Sequence, residues 1–181
     1  VVPLASYGQG IFQQVLWNSL QGHPVESTLS SQLSTNVIHA GELPSVDYER
    51  LGQHFTPTLL LWTPLLGLIG GAALPLVQVG LITAAGLTLH RLALGLLPER
   101  TANWLTYGFF AGNALIGPTL GNYTDLCQLP LAVFVLMLGL VERRRWWITG
   151  AALWIPLIRE DSGVLLVAIG RWLLLRQRQR E

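Results

Sequence analysis

The sequence predicts an all-α fold: a polytopic helical membrane bundle with an outward polar N-terminal loop and juxtamembrane helices. Three observations carry that expectation. Of 181 residues, 51% are hydrophobic and 12% charged, and mean hydropathy is +0.46; soluble domains carry about 25% charged residues. Charge-free stretches run over 55–89, 101–124, 126–141 and 146–158, and a spanning helix needs ~20 mostly apolar residues. The arginines, finally, gather on one side of the membrane once loops alternate.

The same composition excludes several functions. Net charge is +1, too small for a nucleic-acid partner. The single cysteine, Cys127, has no internal disulfide partner, and His23, His39, His54 and His90 lack metal-ligand spacing. There is no Gly-rich phosphate loop, Ser-His-Asp arrangement or redox motif. "VVPLASYGQG" lacks the basic region and long apolar core of a signal peptide, and the chain reads as part of something longer, with one helix expected before it.

Two units are expected: residues 1–55 as the outward loop and 56–181 as the membrane bundle. In "GIFQQVLWNSLQGHP", Ile11, Val15, Leu16 and Leu20 fall near helical spacing, with Gly22 and Pro24 as terminators. This predicts an amphipathic helix near a membrane surface, followed by a polar loop with little regular structure. The run from Phe55 to Leu89 would measure roughly 52 Å as one helix, at ~1.5 Å per residue, and "GLIGG" (67–71) offers a break. A juxtamembrane helix over Pro57–Ile69 and a span over Ala72–Leu94 follow. Further spans are expected at Ala102–Pro118, Leu126–Val141, Trp146–Ile158 and Gly163–Leu175, with Pro75, Pro130 and Pro156 bending or capping helices. Gly108 and Gly112 form a small-xxx-small pair suited to close helix packing.

With loops on alternating sides, Arg91, Arg100, Arg143, Arg144, Arg145, Arg171, Arg176, Arg178 and Arg180 share one side, and Arg50 and Arg159 the other. The positive-inside rule makes the first side cytoplasmic. "ERRRWW" (142–147) reads as a cytoplasmic anchor with interfacial tryptophans.

Under this topology "GQHFTP" (52–57), "GNYTDLCQ" (121–128) and "REDSG" (159–163) share the outer face. The helix before REDSG is ~20 Å long against a hydrocarbon core of ~30 Å, so Glu160 and Asp161 are expected below the membrane surface. A charge at depth costs roughly 2.5–3.5 kcal/mol or more, which marks such residues as functional candidates. The plain alternative is a helix start, with Asp161 or Ser162 as N-cap.

"YGQGIFQQVLWNSLQGHPVEST" (7–28), "LGQHFTPTLLLWTPL" (51–65), the 122–130 loop and "REDSG" together resemble an uncharacterised family of bacterial multi-pass membrane proteins, related in architecture to the GT-C glycosyltransferases. The resemblance covers nearly the whole chain, and "QHFTP" and "REDSG" are its most specific parts. It implies a bundle in the bacterial inner (plasma) membrane whose outer cavity transfers a sugar from a polyprenyl-phosphate donor. His54, Glu160 and Asp161 match the pattern. Gly8 and Gln13 stand where acids are common, and Asn122 and Thr124 where Asp and His are expected.

On this reading Asp161, with Glu160 or Asp125, acts as acid/base or metal ligand. His54, Arg159, Gln53 and Tyr123 bind substrate, with Arg159 or a divalent cation balancing the donor phosphate. The partners are membrane lipids and the lipid-linked sugar donor, with no nucleic acid. A degenerate relative of such a transferase fits the departures at Gly8 and Asn122. The alternative is a non-enzymatic multi-pass protein, a transporter fragment or an assembly subunit.

Overall fold

A computed structural model describes residues 7–34, 48–50 and 54–178. Every regular element among them is helical, apart from one antiparallel bridge between Glu26 and Glu49. Helix α1 spans Tyr7–Leu20. The sequence pattern places its apolar face near a membrane surface, but in the structure that face is covered by protein. Ile11, Phe12, Val15 and Leu16 are buried in one core with Leu59, Leu66, Leu74 and Tyr123, so residues on both sides of position 55 share a core. Phe12 meets Tyr123 edge-on, with ring centroids 5.3 Å apart.

The polar loop after α1 contains a helix the sequence pattern missed, α2 (Thr28–Ser34). Its first turn is satisfied from α1. Gln14 Oε1 accepts the Leu29 N–H at 3.1 Å and the Ser27 hydroxyl at 2.8 Å, while Gln14 Nε2 donates to Thr28 Oγ1 at 2.7 Å. Ser27 Oγ accepts the Ser30 N–H at 3.1 Å, as a capping side chain does. A tertiary partner, rather than an apolar period, makes this segment helical.

A 3-10 turn (Pro57–Trp62) leads into α3 (Thr63–Ile69), and a second 3-10 turn (Gly70–Ala72) into α4 (Ala73–Leu94). The expected break falls at Gly70, whose φ of 62° and ψ of −144° suit glycine alone. The helical run 57–94, 38 residues, is long and apolar enough to cross a membrane. The 22 residues of α4 alone reach roughly 33 Å. The other apolar helical stretch noted for its composition, Asp125–Val141, is shorter.

The span expected over Ala102–Pro118 is instead two helices, α5 (Glu99–Ala111) and α6 (Asn113–Gly121). Gly112 is extended (φ −68°, ψ 126°), and its carbonyl starts the second helix by accepting the Leu115 and Ile116 N–H groups. The Gly108–Gly112 pair makes no close helix contact: a Cβ on Gly108 would meet open space, and one on Gly112 only carbonyls of its own turn. The tight approach lies elsewhere. A Cβ on Gly86 would come within 2.1 Å of the Phe110 ring, so α5 packs on α4 with that ring over the glycine, and a side chain there would require the ring to move.

A 3-10 turn (Asp125–Gln128) opens α7 (Leu129–Val141). After a turn through Arg143 (φ 55°) come α8 (Arg145–Ile158), a 3-10 turn (Glu160–Ser162) and α9 (Gly163–Arg178). Pro75 and Pro130 sit in the first turns of their helices and Pro156 in the last turn of α8. Ala132 and Leu136 of α7 interlock with Ala151, Ile155 and Ile158 of α8, and Leu166 and Ile169 of α9 pack on that cluster. Gln78, early in α4, bonds to the 118–124 loop, whereas Arg91, late in α4, pairs with Glu142 just past α7. Helices α4 and α7 are therefore parallel, and α8 runs back against α7.

Much of the outer surface is apolar. Leu76, Val79 and Leu87 project from α4, and Val164, Val167, Leu174 and Leu175 from α9. Contiguous exposed apolar surface on this scale is rare on soluble monomers and marks a lipid or protein environment.

Candidate functional site

The three polar clusters meet at one end of the bundle. The 3-10 turn at Glu160–Ser162 points Glu160 across to the irregular residues 54–56. There His54 Nδ1 contacts Glu160 Oε1 at 3.0 Å and the Phe55 N–H donates to Glu160 Oε2 at 2.8 Å. "QHFTP" and "REDSG" are thus joined directly, 106 residues apart. Arg159, extended at the end of α8, turns back on Asp161 in a two-pronged bond, Nε to Oδ1 at 2.8 Å and Nη2 to Oδ2 at 2.6 Å.

Two further charged side chains near these half-open pairs are buried. Asp125 is 3% exposed; its Oδ1 accepts the Leu126 N–H at 3.0 Å, and its Oδ2 has no partner. Arg50 is 7% exposed, with its guanidinium 4.7 Å above the Phe12 ring and its Nε without a partner. Asp125 lies close enough to act on the charge of both Arg50 and Arg159. Arg50 is delivered by an unusual loop. Its N–H donates to the carbonyl of Val25, a β-branched residue at φ 61° that is itself anchored by donating its N–H to Ser19 Oγ.

Two buried glutamines hold the 118–128 segment in register. Gln78 Nε2 donates to the Pro118, Thr119 and Asn122 carbonyls at 2.9–3.1 Å, and its Oε1 accepts the Thr124 N–H at 2.9 Å. Gln128 Nε2 donates to Thr58 Oγ1 at 3.0 Å, and its Oε1 accepts from Trp154 Nε1 at 3.3 Å. Arg50, Gln78 and Gln128 were not singled out from the sequence. For Gln78 the signal was present: a lone amide inside an apolar helix, "LVQVG", costs enough to need a reason.

Electrostatics follow from these contacts. The His54 contact holds the Glu160 carboxyl below the usual carboxylate range, and the Arg159 guanidinium does the same for Asp161. Asp161 in turn raises Arg159, whereas burial lowers Arg50. With Glu160 ionised, the proton between the pair sits on His54 Nδ1, leaving Nε2 to accept or pass on a proton.

Of the residues expected to act together, His54, Asp125, Arg159, Glu160 and Asp161 share this end. Tyr123 is 1% exposed in the core under α1, packed away from the open face. Gln53 lies outside the described residues. Ser162 does not cap α9 through its hydroxyl, which is buried without a partner, and both Asp161 oxygens face Arg159. Glu160 and Asp161 nonetheless stand in the first turn leading into α9, where acids are favourable to the helix dipole. Gly8 and Asn122 are neighbours: a Cβ on Gly8 would lie 3.0 Å from Asn122 Nδ2.

The donor set does not fit a cation. Among the described residues no three His, Cys, Asp or Glu side chains come together as ligands, and Glu160 and Asp161 already spend both oxygens on His54, Phe55 and Arg159. What the site offers is a guanidinium for an anion and a histidine oriented by a carboxylate, with a buried carboxylate nearby that keeps one oxygen unpartnered.

A family model described as "Predicted membrane protein (DUF2079)" matches residues 2–181. No curated protein and no solved structure matches the chain.

Proposed function

The chain belongs to this family of predicted membrane proteins, and on that premise we propose that it is a GT-C-like glycosyltransferase, or a degenerate relative, acting on polyprenyl-phosphate-linked sugars. On this reading the helices form a polytopic bundle in the bacterial inner membrane, with the His54–Glu160 end facing outward. The arginine distribution and the apolar outer surface of α4 and α9 support that arrangement. The observation that carries the functional reading is the His54–Glu160 contact beside the Arg159–Asp161 pair.

Each group then has one task. The donor phosphate competes with Asp161 for the Arg159 guanidinium, whose planar fork suits phosphate as well as carboxylate. An acceptor hydroxyl gives its proton to His54 Nε2 as its oxygen bonds to the anomeric carbon. The carbon–oxygen bond to phosphate breaks, and polyprenyl phosphate leaves with its charge opposite Arg159. Glu160 fixes the histidine tautomer. Asp125, buried with one oxygen unpartnered, acts through its charge on Arg159 rather than by touching the acceptor.

Binding and turnover of a polyprenyl-phosphate hexose by the full chain in lipid nanodiscs tests this. The phosphate-bearing lipid should bind at least tenfold tighter than the neutral polyprenol, and Arg159→Gln should erase the difference. Equal binding of the two lipids would return the chain to the non-enzymatic class. Gly8→Asp separates an active copy from a degenerate one. The new carboxylate would stand against the Asn122 amide, a movable side-chain tip, and a severalfold gain in turnover would mark position 8 as the missing acid.

A further inference from the structure

At the opposite end of the bundle, an open groove of about 290 Å³ lies between Leu87, Thr88 and Arg91 of α4, Val135 and Leu138 of α7, and Trp147 of α8. We propose that this groove binds one anionic phospholipid, an acyl chain lying on Leu87, Val135 and Leu138 and the phosphate facing Arg91 and Arg144.

Charge carries the argument. Arg91 reaches Glu142 Oε1 through Nε at 2.9 Å and Nη2 at 2.8 Å, and Arg144 reaches Glu142 Oε2 at 2.8 Å. Two guanidinium groups share one carboxylate, so a full positive charge is left over at the mouth of the groove. Arg143 and Arg145, exposed in the same turn, add to it. Trp147 closes one side of the mouth, with the Arg91 and Arg144 guanidinium groups 5.5 and 5.1 Å from its ring. That stacking and the shared carboxylate hold both cations in place before a ligand arrives, which lowers the entropy cost of binding.

The walls select the class of anion. Leu87, Val135 and Leu138 present only hydrocarbon, so a free phosphate gains nothing from them, while an acyl chain gains apolar contact. Basic pockets between helices at a membrane face are suited to anionic headgroups. A zwitterionic lipid offers the same chain without the net charge. This inference rests on different residues from the His54–Glu160 site and stands whether or not that site transfers sugar.

The test is thermal unfolding of the full chain in uncharged detergent with phosphatidylglycerol, with phosphatidylcholine of the same chains, or with inorganic phosphate. Phosphatidylglycerol should raise Tm, and the other two should not. Arg144→Gln should weaken phosphatidylglycerol binding roughly fivefold, the expected effect of one basic residue near an anionic headgroup. Leu87→Trp, at an exposed position that tolerates bulk, fills the groove and should remove the advantage of long-chain over short-chain phosphatidylglycerol with every charge intact. Circular dichroism confirms that both variants keep their helices. Equal stabilisation by the two lipids, an effect matched by inorganic phosphate, or a phosphatidylglycerol effect that survives both substitutions would overturn the proposal.

Discussion

At one end of the bundle, Arg91 and Arg144 converge on Glu142 with both arginines more than half exposed. At the other, Arg50 and Asp125 are buried with an unpartnered nitrogen and an unpartnered oxygen, and four further ionisable side chains pair near them. Exposed ion pairs contribute about 0–1 kcal/mol, so the arginine end can be rearranged at little cost. Buried groups left short of a partner each cost about 1–3 kcal/mol, and a fold retains them where something compensates. Pairing alone does not distinguish the two ends, whereas burial with incomplete pairing does, and under the proposed function the second end is the one set aside for chemistry.

Breaking the buried side should have the largest effect. Gln78→Leu strands the Thr119 and Asn122 carbonyls and the Thr124 N–H, while the Pro118 carbonyl keeps the Asn122 N–H. A loss of about 3 kcal/mol or more is expected, read as a large drop in Tm, and turnover should vanish as the loop carrying Asp125 loosens. His54→Gln should instead leave Tm within a degree or two while cutting turnover ~10²–10⁴-fold, the usual contribution of a positioned acid or base. A variant that lost stability in step with activity would assign His54 to packing.

Acid titration sharpens the contrast further. Because the folded state lowers the Glu160 pKa, its pairing contributes stability above the ordinary glutamate value of about 4.3. That contribution is lost as pH falls through the lower folded value. Wild type should therefore lose more Tm between pH 5 and pH 3 than Glu160→Gln does, by a small margin given the exposure of the pair. The smallest effect is expected from Glu142→Gln, below about 1 kcal/mol in unfolding experiments, with turnover unchanged.

Much of this architecture was legible in the sequence, and the exceptions share a cause. The break at Gly70, the start of α4 within one residue and the span of α8 follow from glycine, proline and charge placement, which act locally. The meeting of His54 with Glu160 was legible as a shared face because arginine asymmetry assigns sides. Three features were not. Helix α2 depends on Gln14 reaching across from α1, the α5–α6 break turns on one extended residue, Gly112, inside an otherwise helical apolar run, and α1 turned its apolar stripe to Tyr123 and Leu74. An amphipathic stripe states that something covers it, not what. Arg50 was hidden for the same reason: its place is set by the Val25 turn, and one arginine in a polar loop carries no pattern.

Gln78 has one more consequence, in the order of assembly. Its partners lie 40 to 46 residues downstream, in chain that is made after α4. If α4 enters the bilayer first, it does so with a bare amide, a polar group that hydrocarbon cannot solvate. Its lasting residence in the membrane then waits on the arrival of α6 and the Asn122–Thr124 turn. One side chain thereby makes the insertion of the longest helix and the completion of the loop bearing Asp125 a single event.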